Sequence, residues 1–214
     1  MNFRGLFKNL KELTSSKKFL LIFFMPLLMI SLGITYVASE PSTSEKFLTL
    51  STLGSNLTLD NYYPHSDPNV AVGESLNWHV SIYNHMGGPQ YLALRLKMIN
   101  STQAIPDDNA NTPSQASSIY ETKKLVPDKS TWMIPLNWSV RNVTNDKGYD
   151  IITKLTVNGQ NIDNLNIRSI NGQNFRMILE LWRYDPVTKD FSFISSANPD
   201  KKTEWNQIWF GLKR

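Results

Sequence analysis

Residues 73–99 read GESLNWHVSIYNHMGGPQYLALRLKMI, and how this stretch folds decides what the rest of the chain can be. Leu76, Trp78, Val80 and Ile82 alternate with Asn77, His79, Ser81 and Tyr83. Period two marks a strand with one buried face. Met86-Gly87-Gly88-Pro89 breaks the pattern with turn residues, and Leu92, Leu94, Leu96 and Met98 resume it against Ala93, Arg95 and Lys97. Two alternating strands around a Gly-Gly-Pro turn predict a hairpin. Two of the chain's three histidines sit here, but His79 and His85 are six residues apart. On an unbroken strand that is roughly 20 Å, too far for one metal ion. His85 with Met86 offers half of a copper site, imidazole plus soft sulfur, beside the plainer reading of a solvated histidine at a turn.

The same alternation recurs downstream. Trp132, Ile134, Leu136, Trp138 and Val140 form one run, and Pro135 within it predicts an edge or bulged strand because proline donates no ladder hydrogen bond. Turn signals at Asn145–Gly148, Asn158-Gly159 and Asn171-Gly172 bound Ile151–Val157 and Phe175–Tyr184. DPVTKD joins the latter to Phe191–Ser195, and Trp205–Leu212 closes the chain. Phe47–Leu53 and Leu57–Leu59 are weaker strand candidates. Seven to nine short strands predict an all-β, antiparallel β-sandwich spanning residues 47–214. Residues 101–118, STQAIPDDNANTPSQASS, read as a long exposed loop or a small binding insert.

Residues 19–38, FLLIFFMPLLMISLGITYVA, carry no charge and follow Lys17-Lys18. Twenty residues in a helix reach about 30 Å, the thickness of a bilayer's hydrocarbon core. The positive-inside rule then puts residues 1–18 in the cytoplasm and the body outside, as a single-pass signal anchor in the cell membrane. The alternative is a secretory signal cleaved near Val37-Ala38-Ser39, although the apolar run is longer than such signals need. Phe3, Leu6, Phe7, Leu10 and Leu13 predict either a short amphipathic helix on the inner surface or an extension of the anchor. Residues 39–46 read as a linker.

Of 22 Lys+Arg and 18 Asp+Glu, five basic residues and one acid precede residue 39, leaving seventeen of each sign beyond it. A neutral body argues against nucleic-acid binding, which needs a basic face. The chain has no cysteine, which excludes disulfides, zinc–thiolate sites and cysteine nucleophiles. No hydrolase, kinase or phosphate-loop motif occurs, the carboxylates are scattered, and His65 near Asp67 lies in a turn-rich loop. No enzymatic activity and no cofactor are expected. Asn56, Asn100, Asn137 and Asn142 head Asn-X-Ser/Thr sequons, candidates for glycosylation of an exported chain. Trp182, Tyr184, Tyr83 and Tyr91 could form a sugar-stacking platform, although tryptophans in a sandwich more often fill or seal the core.

The runs LSTLGSNLTLDNYYP, VAVGESLNWHVSIYNH and QYLALRLKMI, with the later FRMILELWRYDPVTKDFSF and WNQIWFGL, cover most of residues 47–212. They resemble the extracellular part of an archaeal family catalogued only as a domain of unknown function, number 1616. The Asn-His-Met-Gly-Gly step is most similar to versions from ammonia-oxidising archaea. The resemblance implies an immunoglobulin-like sandwich outside the membrane and carries no catalytic residues. Many members have several membrane helices where this chain has one candidate, a departure that weakens a transport role and permits an accessory subunit docked beside a larger membrane complex. The expected partners are the lipid bilayer and other membrane-protein subunits or surface-layer proteins. Expected contacts are His79, Tyr83, Arg95 and Lys97 on the hairpin's polar face, with the 101–118 loop.

Overall fold

The computed structural model describes residues 17–39, 46–193 and 204–213, with helix side chains from 22 to 36. Two compact units divide at residues 44 and 45. The first contains helix α1 (Lys17–Ser39), which includes Pro26. Its hydroxyls serve its own backbone: Ser31 Oγ donates to Leu28 O and Thr35 Oγ1 to Ser31 O. Among the described residues no helix is long and apolar enough to cross a membrane. The described side chains cover fifteen residues of α1, of which Ile22, Phe23, Phe24 and Leu28 are all more than half exposed. The amphipathic segment expected before it falls, but for Lys17 and Lys18, outside the described residues, as does most of the 39–46 linker.

The second unit is a two-layered β-sandwich. Its strands are β1 (Phe47–Leu53), β2 (Asn69–Val70), β3 (Leu76–His85), β4 (Gln90–Ile99), β5 (Ser118–Val126) and β6 (Ser130–Asp146). They continue as β7 (Tyr149–Val157), β8 (Gln160–Ile162), β9 (Ile167–Ile170), β10 (Phe175–Asp185), β11 (Asp190–Ser192) and β12 (Glu204–Leu212). Sheet 1 runs β1-β3-β6-β7-β8, with β9 also on β7. Sheet 2 runs β2-β12-β10-β4-β5, with β11 on β10. All pairs are antiparallel except β2 with β12. The inward residues of both sheets form one core, where Trp78 meets Trp138 at 5.0 Å between ring centroids, Trp138 meets Phe210 at 5.1 Å and Phe210 meets Phe175 at 5.4 Å.

The expected hairpin is not one. β3 pairs with β1 and β6, while β4 pairs with β10 and β5, so the chain crosses from one layer to the other at residues 86–89. Alternation identifies which face of a strand is buried but is silent on its lateral neighbours. Both strands put their apolar faces into the same core, which two facing sheets satisfy as well as one ladder does. Asn84 holds the crossing. It is fully buried, and its Nδ2 donates to Gly88 O, Val126 O and Pro127 O at 3.0, 2.9 and 3.1 Å. Its Oδ1 accepts Met86 N–H at 3.0 Å. One side chain thus ties the β3–β4 crossing to the β5–β6 connection.

Pro135 has a local explanation that fits both expected alternatives. Up to Asn137, β6 pairs only with β3; from Trp138 onward it gains β7, with bulges between Val140 and Val143. The free edge is capped by Asn158, which has φ +47° in the β7–β8 turn. Its Nδ2 donates to Pro135 O at 3.0 Å and its Oδ1 accepts Asn137 N–H at 2.8 Å, so a side-chain amide continues the ladder where β7 stops. Leu57–Leu59 is a turn rather than a strand, with Leu57 at φ +64°. β5 escaped prediction because SIYETKKLV exposes most of its side chains and lacks a clean apolar alternation. β11 ends at Ser192, and residues 194–195 lie outside the described ones.

Replacing Asn84 with the isosteric Asp removes the donor while leaving three carbonyls facing a carboxylate. Asn84→Asp is expected to lower unfolding stability by about 3 kcal/mol or more. Urea unfolding checks this, and a loss below about 1 kcal/mol would show that the knot does not hold the crossing.

Candidate interaction surface on the second sheet

The crossing separates the four expected contact residues. His79 and Tyr83 point outward from sheet 1, Arg95 and Lys97 outward from sheet 2. His79 is half-buried with Nδ1 3.4 Å from Gly54 O, and Tyr83 stacks on His85 at 6.1 Å. They form no joint surface with the other pair. Lys97 is also not an open contact, because only 5% of it is exposed.

What covers Lys97 is the loop expected at 101–118. Glu180 stands across from Arg95 in the β4–β10 register and is fully buried. Its Oε2 lies 2.9 Å from Lys97 Nζ and accepts Trp182 Nε1–H at 2.9 Å. Its Oε1 accepts the backbone N–H of Ser114 at 2.8 Å, while Lys97 Nζ donates to Ser114 O at 2.6 Å. Both backbone groups of one loop residue therefore grip a buried pair of opposite charges. Burying such a pair is tolerable because the carboxylate has three donors around it. Asp108 Oδ1 accepts Trp205 Nε1–H at 2.7 Å, a second clasp, and Asp107 pairs with Thr112 to close the loop on itself.

Beside the clasp runs a charged and aromatic row. Arg95 lies 3.9 Å above the Trp182 ring, and its Nε meets Glu121 Oε2 at 2.5 Å. Lys123 bridges to Glu121 Oε1 at 2.7 Å and sits 4.9 Å over Phe191. Partial burial pulls the Glu121 carboxyl upward, but its hydrogen bonds from Lys123 and Arg95 outweigh that and hold it below the usual carboxylate range. Tyr91, Tyr184 and Phe191 cluster at 5.1–5.9 Å, with Tyr91 41% exposed. The Trp182 face is covered by Arg95 and is not open to a sugar ring.

The sequons differ in how far the fold occupies their amides. Asn100 Nδ2 donates to Arg168 O, Asn137 Nδ2 to Asn77 Oδ1 and Asn142 Nδ2 to Thr153 Oγ1. Asn56 is exposed in the 54–61 turn, and its Oδ1 accepts Thr58 Oγ1–H at 2.5 Å. Asn137 faces outward, as its strand position predicts. His85 lies 5.0 Å from the Phe47 ring, next to the half-buried Met86. No group of three His, Asp or Glu side chains converges among the described residues. Glu180, Glu121 and Ser114 were not foreseen. A lone acid inside the apolar run RMILELWRY was the available signal for Glu180, since a charge there must be paired. No family model and no curated protein matches the chain.

Two outcomes follow from this geometry. Lys97→Met strands the Glu180 carboxylate and is expected to cost about 3–5 kcal/mol. Adding Glu180→Gln removes that charge: its Oε1 keeps the Ser114 N–H and its Nε2 faces Ser114 O, but the Trp182 Nε1–H loses its acceptor, so the double variant should recover part of the loss, not all of it, in thermal unfolding. Glu121, with its depressed carboxyl, contributes stability that is whole above the ordinary carboxylate range and fades as pH falls through its folded value. Melting temperature measured from pH 6 to pH 3 should therefore fall less steeply in Glu121→Gln than in the wild type.

Proposed function

We propose that the chain is a single-pass membrane protein whose outward β-sandwich serves as an interaction module, an accessory or scaffold subunit of a membrane complex or a cell-surface protein. The anchor is residues 19–38, with the N-terminus cytoplasmic and the sandwich outside. Supporting it are the twenty uncharged residues after Lys17-Lys18 and the way Ser31 and Thr35 satisfy their hydroxyls within the helix. The observation that carries the interaction reading is the clasped loop: Ser114 is fixed by Lys97 and Glu180, while Gln103, Asn109 and Gln115 stand exposed around it. A polar loop held rigid over a sheet is a binding surface that loses little entropy on contact.

An immunoglobulin-like topology is the finer form of the fold reading. β1 and β3 with β4, β10 and β12 match the A, B and C, F, G positions of that pattern. β6 and β7 depart from it: the strand beside β3 comes first in the chain and the outer one second, the reverse of the D-then-E order. The resemblance to the archaeal family agrees with this reading and rests on the quoted motifs. The carbohydrate alternative loses its Trp182 platform to Arg95, and the copper alternative has a histidine packed against the Phe47 and Tyr83 rings.

Native electrophoresis of gently solubilised membranes, with mass spectrometry of each band, tests the module. Comigration with defined larger subunits, lost when Gln103, Asn109 and Gln115 are all changed to Ala, is the expected result. Migration alone near the chain's own mass, or comigration unaffected by those changes, counts against this surface.

A further inference from the structure

The end of the sandwich where β1 begins carries lysines that the fold does not use. Phe47, the first residue of β1, pairs with His85, so the chain enters beside the β3–β4 crossing. Around that entry lie the connections at residues 86–89, 127–129 and 186–189. Lys46, Lys124, Lys129 and Lys189 are exposed on this rim, and none has an ion-pair partner among the described residues. The rim's acids are committed to its turns. Asp128 Oδ1 accepts Gly87 N–H at 2.8 Å, Asp185 Oδ1 accepts Val187 N–H at 2.8 Å, and Asp190 Oδ1 accepts Phe191 N–H at 2.7 Å. Between the lysines, Tyr91, Leu125 and Val187 are 41%, 60% and 83% exposed, and Tyr91 and Leu125 are register partners.

Apolar exposure alone does not single out this end, since Leu59, Val72 and Ile170 are also exposed at the other. The charges do. At the far end Lys213 pairs with Asp67, Arg168 with Asp146 and Lys154 with Asp163, which leaves Lys147 as the exposed lysine without an ion-pair partner among the described residues there, against four at the rim. We propose that the rim around the β1 entry rests on an anionic lipid surface, its lysines among the headgroup phosphates and Tyr91, Leu125 and Val187 at the acyl boundary. The inference builds on the anchored reading. From Ser39 to Phe47 the chain makes eight peptide steps, at most about 28 Å, so an anchor in the bilayer keeps the β1 entry within reach of its surface.

The test uses the full chain reconstituted into vesicles of phosphatidylcholine alone or mixed with phosphatidylglycerol. Amide exchange at residues 86–91, 124–130 and 186–191 is expected to slow in the anionic vesicles only. Exchange at 54–66 is expected to be the same in both. Lys124→Glu/Lys129→Glu/Lys189→Glu should abolish the protection. Equal exchange in the two lipids, or protection that survives the triple variant, overturns the proposal. The isolated sandwich gives an independent readout, because residues 45–214 form a compact unit and, among the described residues, every buried member of the core lies between Val70 and Leu212. Its partition onto the anionic vesicles should weaken about fivefold for Lys129→Gln. Alkaline extraction of the full chain decides the anchor separately: a chain removed by carbonate refutes the anchor, while the partition of the isolated sandwich still decides the rim.

Discussion

Asn84 is the constraint on which the rest of the molecule depends. A strand that runs apolar to its end and meets Gly-Gly-Pro can fold back beside itself or cross to a facing layer. The backbone groups of the crossing then need partners that a two-strand ladder would have supplied. Asn84 supplies them, giving its amide to three carbonyls and its oxygen to one N–H. Because the donors and acceptors come from both the β3–β4 and the β5–β6 connections, the same side chain fixes how the two sheets start relative to each other. Every outward residue of β4 consequently belongs to sheet 2, where Glu180 and Trp182 of β10 are waiting.

That placement converts a polar stripe into a buried clasp. Lys97 would have been a solvated strand residue in a hairpin; in sheet 2 it stands beside Glu180 and under the loop. The free energy of such a pair is close to balanced, since desolvation offsets most of the attraction. Its value here is positional. Ser114 can satisfy both of its backbone groups only in one place on the sheet, so the loop has one register.

Residue pattern made the layers legible and the pairings illegible. Period two placed Trp78, Trp138 and Leu94 in the core, and they are there. It also placed His79, Arg95 and Asn137 outward, correctly. Turn residues marked Lys147-Gly148, Asn158-Gly159 and Asn171-Gly172, each of which has positive φ at both positions. What pattern could not reach was long-range: β3 with β6, β4 with β10 and the parallel β2–β12 pair join residues far apart in the chain. The clasp was hidden for the same reason, because Lys97, Ser114 and Glu180 come from three separate segments. β5 was missed because an edge strand with Lys123 and Lys124 on it is protected against pairing, and that protection erases the apolar alternation by which strands are recognised.

A chain without cysteine that folds a sandwich has only packing and polar networks to hold it. The core answers with rings that touch across both sheets, from Trp78 through Trp138 and Phe210 to Phe175. Apolar packing of this kind tolerates small slips between layers, because volume matters more than register. Asn84, Asn158 and the Lys97–Glu180 pair do not tolerate them, since each loses bonds if one strand shifts by a residue. The aromatic core therefore supplies the driving force, and three buried or edge-capping polar groups select the one arrangement in which the outward surfaces are formed.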